Sequence, residues 1–139
     1  MEQLEKVRQW LQSAPIWDGQ PLLVDATLPE PGNCGLFPLG QEVLSTRQDV
    51  AGNCVQRCRI RFLLRRKALR QEAAAVWLLR LQDWIREQSR QGHIPQLGDV
   101  AREERFRAEK GKLVRSTQTG TATYEVALAA EFTKIYEVI

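Results

Sequence analysis

The chain has little of what catalytic and metal sites are built from. Its 139 residues include one histidine, His93, one methionine and three cysteines. None of its serines or cysteines lies in a recognisable nucleophile motif, and neither common glycine-rich phosphate-binding loop is present. We therefore predict that the protein is not an enzyme and that it has no cofactor.

The cysteines do not form a metal-binding pattern. Cys54 and Cys58, together with Cys34 and His93, could in principle supply four zinc ligands. Residues four apart on one strand, however, lie about 13 Å from each other along that strand. We therefore expect no metal site and small buried thiols instead. The odd cysteine number and the polar, amphipathic N-terminus predict synthesis in a reducing cytosol.

Long apolar runs and a strong net charge are also missing. The longest apolar stretch, Ala73 to Leu79, is far shorter than the roughly 20 residues that cross a bilayer, so we expect no membrane partner. The 20 basic and 17 acidic residues give a net charge of +3, which permits nucleic-acid binding without requiring it. The length and the 43% hydrophobic content predict one domain over residues 1–139.

Helical periodicity is clearest in residues 2–13 and 69–91. In the first segment the apolar residues that share one side are Leu4, Val7, Trp10 and Leu11. Pro15 then ends the segment. In the second segment the residues that share a broad apolar face are Ala73, Ala74, Trp77, Leu78, Leu81, Trp84 and Ile85. Gly92 follows this segment, as is common just past a helix C-terminus. Both segments are predicted to be amphipathic helices.

Two apolar residues of the second segment, Val76 and Leu79, fall on its otherwise polar side. Isolated apolar residues are normal on protein surfaces, so one interpretation is that they are scattered surface residues. The other interpretation is a contact with another subunit. The sequence leaves both open.

Alternation with period two predicts the strands. The segments "EVLSTRQ" and "CVQRCRIRFLLRR" flank "DVAGN", which predicts a hairpin between residues 41 and 66. A short strand is predicted at Leu22 to Asp25, a bent strand pair in "REERFRAEKGKLVRSTQ", and a closing strand from about residue 121 to 137. Residues 26–41 are rich in proline and glycine, which predicts an irregular loop. The predicted fold class is α+β, an antiparallel or mixed sheet packed against a long amphipathic helix and an N-terminal helix.

The second strand of the hairpin has one apolar and one basic face. The side chains predicted to face the core are Cys58, Ile60, Phe62 and Leu64. The opposite face carries the arginine row, defined as Arg57, Arg59, Arg61 and Arg65. This row could be a solvated sheet face, could pair across strands with Glu125 and Glu131, or could bind nucleic acid. The first two interpretations are favoured, because no aromatic residues alternate with the arginines and no basic recognition helix is present.

The closing strand is also two-faced. Its core side is predicted to carry Tyr124, Val126, Leu128, Ala130 and Phe132. The other side has small residues, Ala127 and Ala129, between Glu125 and Glu131. Another surface could therefore approach closely there, with the two acids placed to meet arginines. That surface could be the arginine row of the same subunit or part of a neighbouring subunit.

The order of these elements resembles small tail-gene proteins of bacteriophages and prophages, called tail terminators or minor capsid proteins. The phrases that carry the resemblance are "LQDWIREQS" followed by "IPQLGD", and "AEKGKL" leading into "GTATYEVALAAEF". The resemblance covers the chain from about Leu4 to Val138. It implies a virion structural protein, assembled in the host cytoplasm and located in the tail.

Members of this family form a ring, typically a hexamer, that caps the tail tube and joins it to the head side. The implied partners are copies of the same chain, the tail tube protein and a head-tail connector protein, with no cofactor. A head-to-tail ring needs two different contact surfaces on each subunit. The candidate subunit-interface or lumen residues are Arg57, Arg59, Arg61, Arg65, Val76, Leu79, Glu125 and Glu131. The alternatives are a connector or other minor virion protein of the same fold, and a small nucleic-acid-binding module that uses the arginine row.

Overall fold

The structure, a computed structural model, describes residues 2–17, 20, 22–25, 34–68, 71–116 and 122–138. In these ranges the helices and strands are α1 (Glu2–Gln12), β1 (Leu22–Val24), β2 (Cys34–Gln48), β3 (Cys54–Ala68), α2 (Gln71–Gln91), β4 (Arg105–Ala108), β5 (Lys112–Ser116) and β6 (Ala122–Tyr136). A 3-10 helix, Ala101–Glu103, lies between α2 and β4. Neither α1 nor α2 is long and apolar enough to span a membrane.

The strands form one mixed sheet. Their order is β1-β2-β3-β6-β4, and β5 also pairs with β6. β1 runs parallel to β2, whereas the other neighbouring strands are antiparallel. β3 and β6 pair along their whole length, from Cys54 opposite Tyr136 to Ala68 opposite Ala122. The predicted α+β class, with both helices packed on a mixed sheet, is confirmed.

The helices bury the faces that periodicity predicts. α1 buries Leu4, Val7 and Leu11. α2 buries Trp77, Leu78, Leu81 and Ile85, while the side chains of Ala73 and Ala74 lie outside the described part. These helices pack on two apolar rows, Cys58, Ile60, Phe62 and Leu64 of β3 and Val126, Leu128, Ala130 and Phe132 of β6. The removal of these side chains from water is the main source of stability, at about 1.5 to 3 kcal/mol for each large one.

The prediction of an irregular loop over residues 26–41 is wrong from Cys34 onward, because β2 begins there. Residues 26–33 lie outside the described part. Pro38 is compatible with the strand because, among the described residues, no strand pairs with that side of β2 beyond Leu36, so no N–H of Pro38 is needed there. Gly40 has a φ of 121°, and the pairing register shifts between Pro38 and Gly40. The glycine therefore allows a β-bulge that an ordinary residue would strain.

The segment between α2 and β4 is fastened to the edge of β6. The backbone N–H of Asp99 donates to the carbonyl of Thr133 at 2.7 Å. The buried carboxylate of Glu104 accepts the N–H groups of Leu97 and Gly98 at 2.7 and 3.1 Å, although burial raises the pKa of this carboxyl group. A Cβ on Gly98 would lie 2.4 Å from the Thr133 carbonyl oxygen, so only glycine fits there. These contacts position β4 beside β6.

Candidate subunit interface

The face of the sheet opposite the helices carries the arginine row. Because β3 and β6 pair without a register shift, strict alternation holds along β3, and the arginines lie on one side while the buried row lies on the other. Arg105 and Arg107 of β4 lie on the same side, since Phe106 between them is buried in the core. We call this side the open face. Its chemistry depends on how the arginines are paired.

Arg65 is paired with Glu125, which lies directly opposite it on β6. Its Nε and Nη2 atoms donate to Glu125 Oε1 at 2.9 and 2.6 Å. The carboxylate side chain is only 9% exposed. The guanidinium of Arg65 also lies 5.4 Å from the centre of the Phe37 ring. This pair holds β3 and β6 together, so both charges are used within one subunit.

Arg59 takes part in a row of charges that crosses four strands. Glu42 of β2, Arg59 of β3, Glu131 of β6 and Arg105 of β4 are successive partners in register. Arg59 Nη1 lies 3.2 Å from Glu42, and its Nη2 lies 3.9 Å from Glu131. Arg105 instead donates to the carbonyls of Arg102 and Glu104, at 3.0 and 2.8 Å, and has no carboxylate partner within 4 Å in the described part. We call these four residues the charged row.

The remaining two arginines of the row differ in their surroundings. Arg57 Nη1 donates to the carbonyl of Glu103 at 2.6 Å and to Thr133 Oγ1 at 3.1 Å. Arg61 is about half exposed, with its Nε 4.0 Å from Glu109. Of the three interpretations of the arginine row, the structure thus shows cross-strand pairing for Arg65 with Glu125 and for Arg59 with Glu131. Of the arginine row, Arg61 is the member most available to another molecule.

The outer edge of β2 is a surface that sequence reasoning missed, because the predicted loop covered its first half. Beyond Leu36 no strand of the described part pairs with that edge. Residues 39–48, which we call the free edge, are all exposed, and Leu39 and Val43 are 56% and 52% exposed. Leu39 and Leu44 are the unpaired residues at the two register shifts of β2. The bulges therefore place both leucines on the surface.

A second exposed apolar surface lies at the opposite edge of the sheet. Val76 and Leu79 of α2 are 57% and 61% exposed, so both are on the surface, as their position on the polar side predicts. Leu79 lines a groove of about 570 Å³ between α2 and the segment from Phe106 to residue 110. The hydroxyl of Ser89 donates to the carbonyl of Phe106 at 2.7 Å, so α2 covers part of the β4 edge. The role of these residues in a subunit contact remains a prediction.

In the described part, no cluster of three or more histidine, cysteine or carboxylate side chains could hold a metal ion. Cys34 and Cys58 are buried, and burial raises the pKa of the Cys34 thiol to about 12. A thiol of that pKa stays protonated and is a poor nucleophile.

Comparison with known proteins finds matches among solved structures, including one of low sequence identity. No protein-family model matches the chain, and no curated protein sequence matches it. Among solved structures, it is similar to a chain from the virion of a native gene transfer agent (GTA) particle, with 13% sequence identity and a TM-score of 0.44. The match covers 94% of this chain and 92% of that chain.

Proposed function

We propose that this protein is a structural protein of a phage or prophage virion, namely a tail terminator that forms a ring on the end of the tail tube. The observation that carries the proposal is the presence of two different exposed surfaces at opposite edges of one sheet. The free edge of β2 is one, and the surface of α2 around Leu79, next to β4, is the other. A closed ring with head-to-tail contacts needs such a pair of unlike surfaces on every subunit.

The sequence segments that resemble tail terminators lie close together in the fold. "LQDWIREQS" forms the second half of α2, "IPQLGD" the segment that follows it, "AEKGKL" the junction of β4 and β5, and the described residues 122–132 of "GTATYEVALAAEF" form much of β6. They therefore cluster at the β4 side of the sheet, next to the groove that Leu79 lines. This arrangement supports a shared contact surface as the origin of the resemblance.

The alternative function, nucleic-acid binding through the arginine row, is less well supported. Arg65 and Arg59 are paired with carboxylates, and Arg57 is hydrogen-bonded to a carbonyl and a threonine. Acidic and basic side chains alternate over the open face, which weakens its field for a polyanion. If nucleic acid were the ligand, affinity would fall steeply with salt and be lost in an Arg57→Ser, Arg59→Ser, Arg61→Ser triple variant.

The ring proposal can be tested by electron microscopy of the purified protein, alone and mixed with its tail tube. We expect rings, most simply hexamers, at one end of each tube. Free protein that is monomeric would still agree with the proposal if it binds tube ends, because the tube could template assembly. Protein that never associates with tube ends would refute it, and binding only to the head-side connector would indicate a connector role instead.

A pair of variants makes this test specific to the predicted surface. Leu79→Lys places a charge on the exposed apolar surface of α2 and is expected to abolish rings and tube capping. Gln9→Lys adds the same charge to an exposed site on α1 and is expected to leave both unchanged. If the two variants formed rings and capped tube ends equally well, Leu79 would not be part of the subunit interface.

A further inference from the structure

The charged row ends differently at the two edges of the sheet. At the β2 edge it ends in an acid, Glu42, whose side chain is 55% exposed. At the β4 edge it ends in a base, Arg105, which is exposed and has no carboxylate partner in the described part. We propose that the free edge of β2 in one copy lies against the β4 edge of the next copy, with Glu42 paired to the neighbour's Arg105. This inference rests on the proposed ring and specifies its contact.

Charge alternation favours this pairing over the pairing of like edges. Along the row the signs are negative, positive, negative and positive, from β2 to β4. A copy added with its β2 next to β4 continues the alternation across the boundary. Two copies joined through their β2 edges, with the twofold axis near Glu42, would instead bring the two Glu42 side chains together. Opposite charges on neighbouring strands stabilise a sheet, and like charges destabilise it.

Strand direction is compatible with the same contact. β2, β3, β6 and β4 are successive antiparallel neighbours, so β2 and β4 run in opposite directions. Rotation of a second copy about an axis roughly parallel to the strands keeps the direction of every strand. Its β2 would then lie antiparallel to β4 of the first copy. A ring built in this way has the same strand alternation within subunits and between them.

The free edge exposes apolar side chains that a neighbouring copy could cover. Natural proteins protect exposed edges with charged side chains, especially lysine, with proline, with β-bulges or with very short strands. The free edge has two bulges and two charged side chains, Glu42 and Arg47. Residues 39–48 contain neither lysine nor proline, and they expose Leu39, Val43 and Leu44. On the other side of the proposed contact, Ser89 already binds the Phe106 carbonyl, so a continuous backbone ladder is interrupted there. The contact is therefore expected to be made largely by side chains on the open face and in the groove beside α2.

Cysteine crosslinking can test the contact because the two positions are far apart within one copy. Glu42 and Arg105 are three inter-strand spacings apart along the charged row. Their Cα atoms are therefore separated by roughly 14 Å within one copy. A disulfide needs Cα atoms less than about 7 Å apart, so it cannot form within a subunit. The variant to use is Glu42→Cys with Arg105→Cys in a Cys54→Ser background. The other two native cysteines are buried and should not interfere.

Under mild oxidation, on non-reducing gels, the double-cysteine variant is expected to give a ladder from dimers up to the ring size that disappears on reduction. The single variants Glu42→Cys and Arg105→Cys, in the same background, are expected to stay uncrosslinked. Dimers from Glu42→Cys alone would indicate pairing of like edges and would overturn the proposal. Absence of crosslinks in all three variants would overturn it as well, whatever the oligomeric state.

The crosslinking experiment and the tube-binding experiment can fail independently, so failure of the proposed contact can be told from failure of the proposed function. Rings on tube ends without the crosslink would keep the tail-terminator proposal and refute the proposed contact. A crosslinked ladder in a protein that never binds tube ends would keep the head-to-tail contact and refute the tail role.

Discussion

Replacement of Trp77 by alanine is the most direct test of how α2 is held on the fold. Trp77 is 6% exposed, and its indole N–H donates to the carbonyl of Ile16 at 2.9 Å. Its ring packs edge-on against Trp17, with the ring centres 5.3 Å apart. The guanidinium of Arg66 lies 4.4 Å from the centre of the ring. The side chain therefore joins α2 to the segment after α1 and to β3.

The expected loss in unfolding free energy is about 3 to 5 kcal/mol, the usual cost of removing a large aromatic side chain from a core. About 1 kcal/mol of this loss comes from the hydrogen bond to Ile16, whose carbonyl is left without that donor. A domain of this size is usually stable by about 5 to 15 kcal/mol, so the variant should unfold at a much lower denaturant concentration.

Urea unfolding followed by far-UV circular dichroism is the suitable assay, because tryptophan fluorescence changes with the substitution itself. Trp77→Phe is the matched control: it keeps an aromatic ring and removes the N–H and part of the volume, so we expect it to lose less than Trp77→Ala. If Trp77→Ala were within about 1 kcal/mol of the unmodified protein, this face of α2 would not be packed as described. It would then be a candidate for a subunit boundary.

Three further changes test other parts of the fold. Gly98→Ala would place a Cβ 2.4 Å from the Thr133 carbonyl oxygen, so we expect chemical denaturation to show a loss of about 1 to 3 kcal/mol. Arg65→Ala leaves the nearly buried Glu125 carboxylate without two hydrogen bonds, which should cost about 1 to 3 kcal/mol in the same assay. The third change is an increase in pH. Burial raises the pKa of the Cys34 thiol from 9.0 to about 12, so the stability that this thiol contributes is complete below pH 9.0 and is lost as pH rises toward 12. Chemical denaturation at several pH values should show this loss.

Each of these changes has a control in the chain. In Gly111→Ala the new Cβ would lie 3.0 Å from the end of the Leu78 side chain and 3.6 Å from the Glu125 carbonyl oxygen, so it should cost less than Gly98→Ala. Arg65→Lys keeps the charge and should retain part of the stability. Iodoacetamide should modify the partly exposed Cys54 before the buried Cys34 in folded protein. If a control variant lost more stability than the variant it is compared with, or if Cys34 reacted before Cys54, the corresponding contact would be contradicted.

Most individual elements could be predicted from local pattern. The periodicity of α1 and α2 identified their buried faces, and the alternation in β3 and β6 identified which side chains meet the helices. The first half of β2 could not be predicted in this way. Pro38 and Gly40 are breakers in most strands, and they are compatible with this one because it lies at an edge and contains a bulge at Gly40.

The candidate interface was only partly predictable for a related reason. The exposed positions of Val76 and Leu79 follow from helical spacing alone. The partners of the arginine row do not, since alternation along a strand fixes the face of a side chain but not the strand that lies beside it. Whether Glu125 meets Arg65 or a neighbouring subunit depends on the register between β3 and β6, which are separated by about half of the chain.

By itself, the sequence determined the two amphipathic helices, the two-faced strands and the absence of recognisable catalytic motifs, because each of these depends on residues close together along the chain. The tertiary structure alone decided that β2 has a free edge, that Arg65 is satisfied by Glu125, and that the charged row ends in an acid at one edge and a base at the other. Those features depend on strand order and register, which are set by how distant apolar faces pack together.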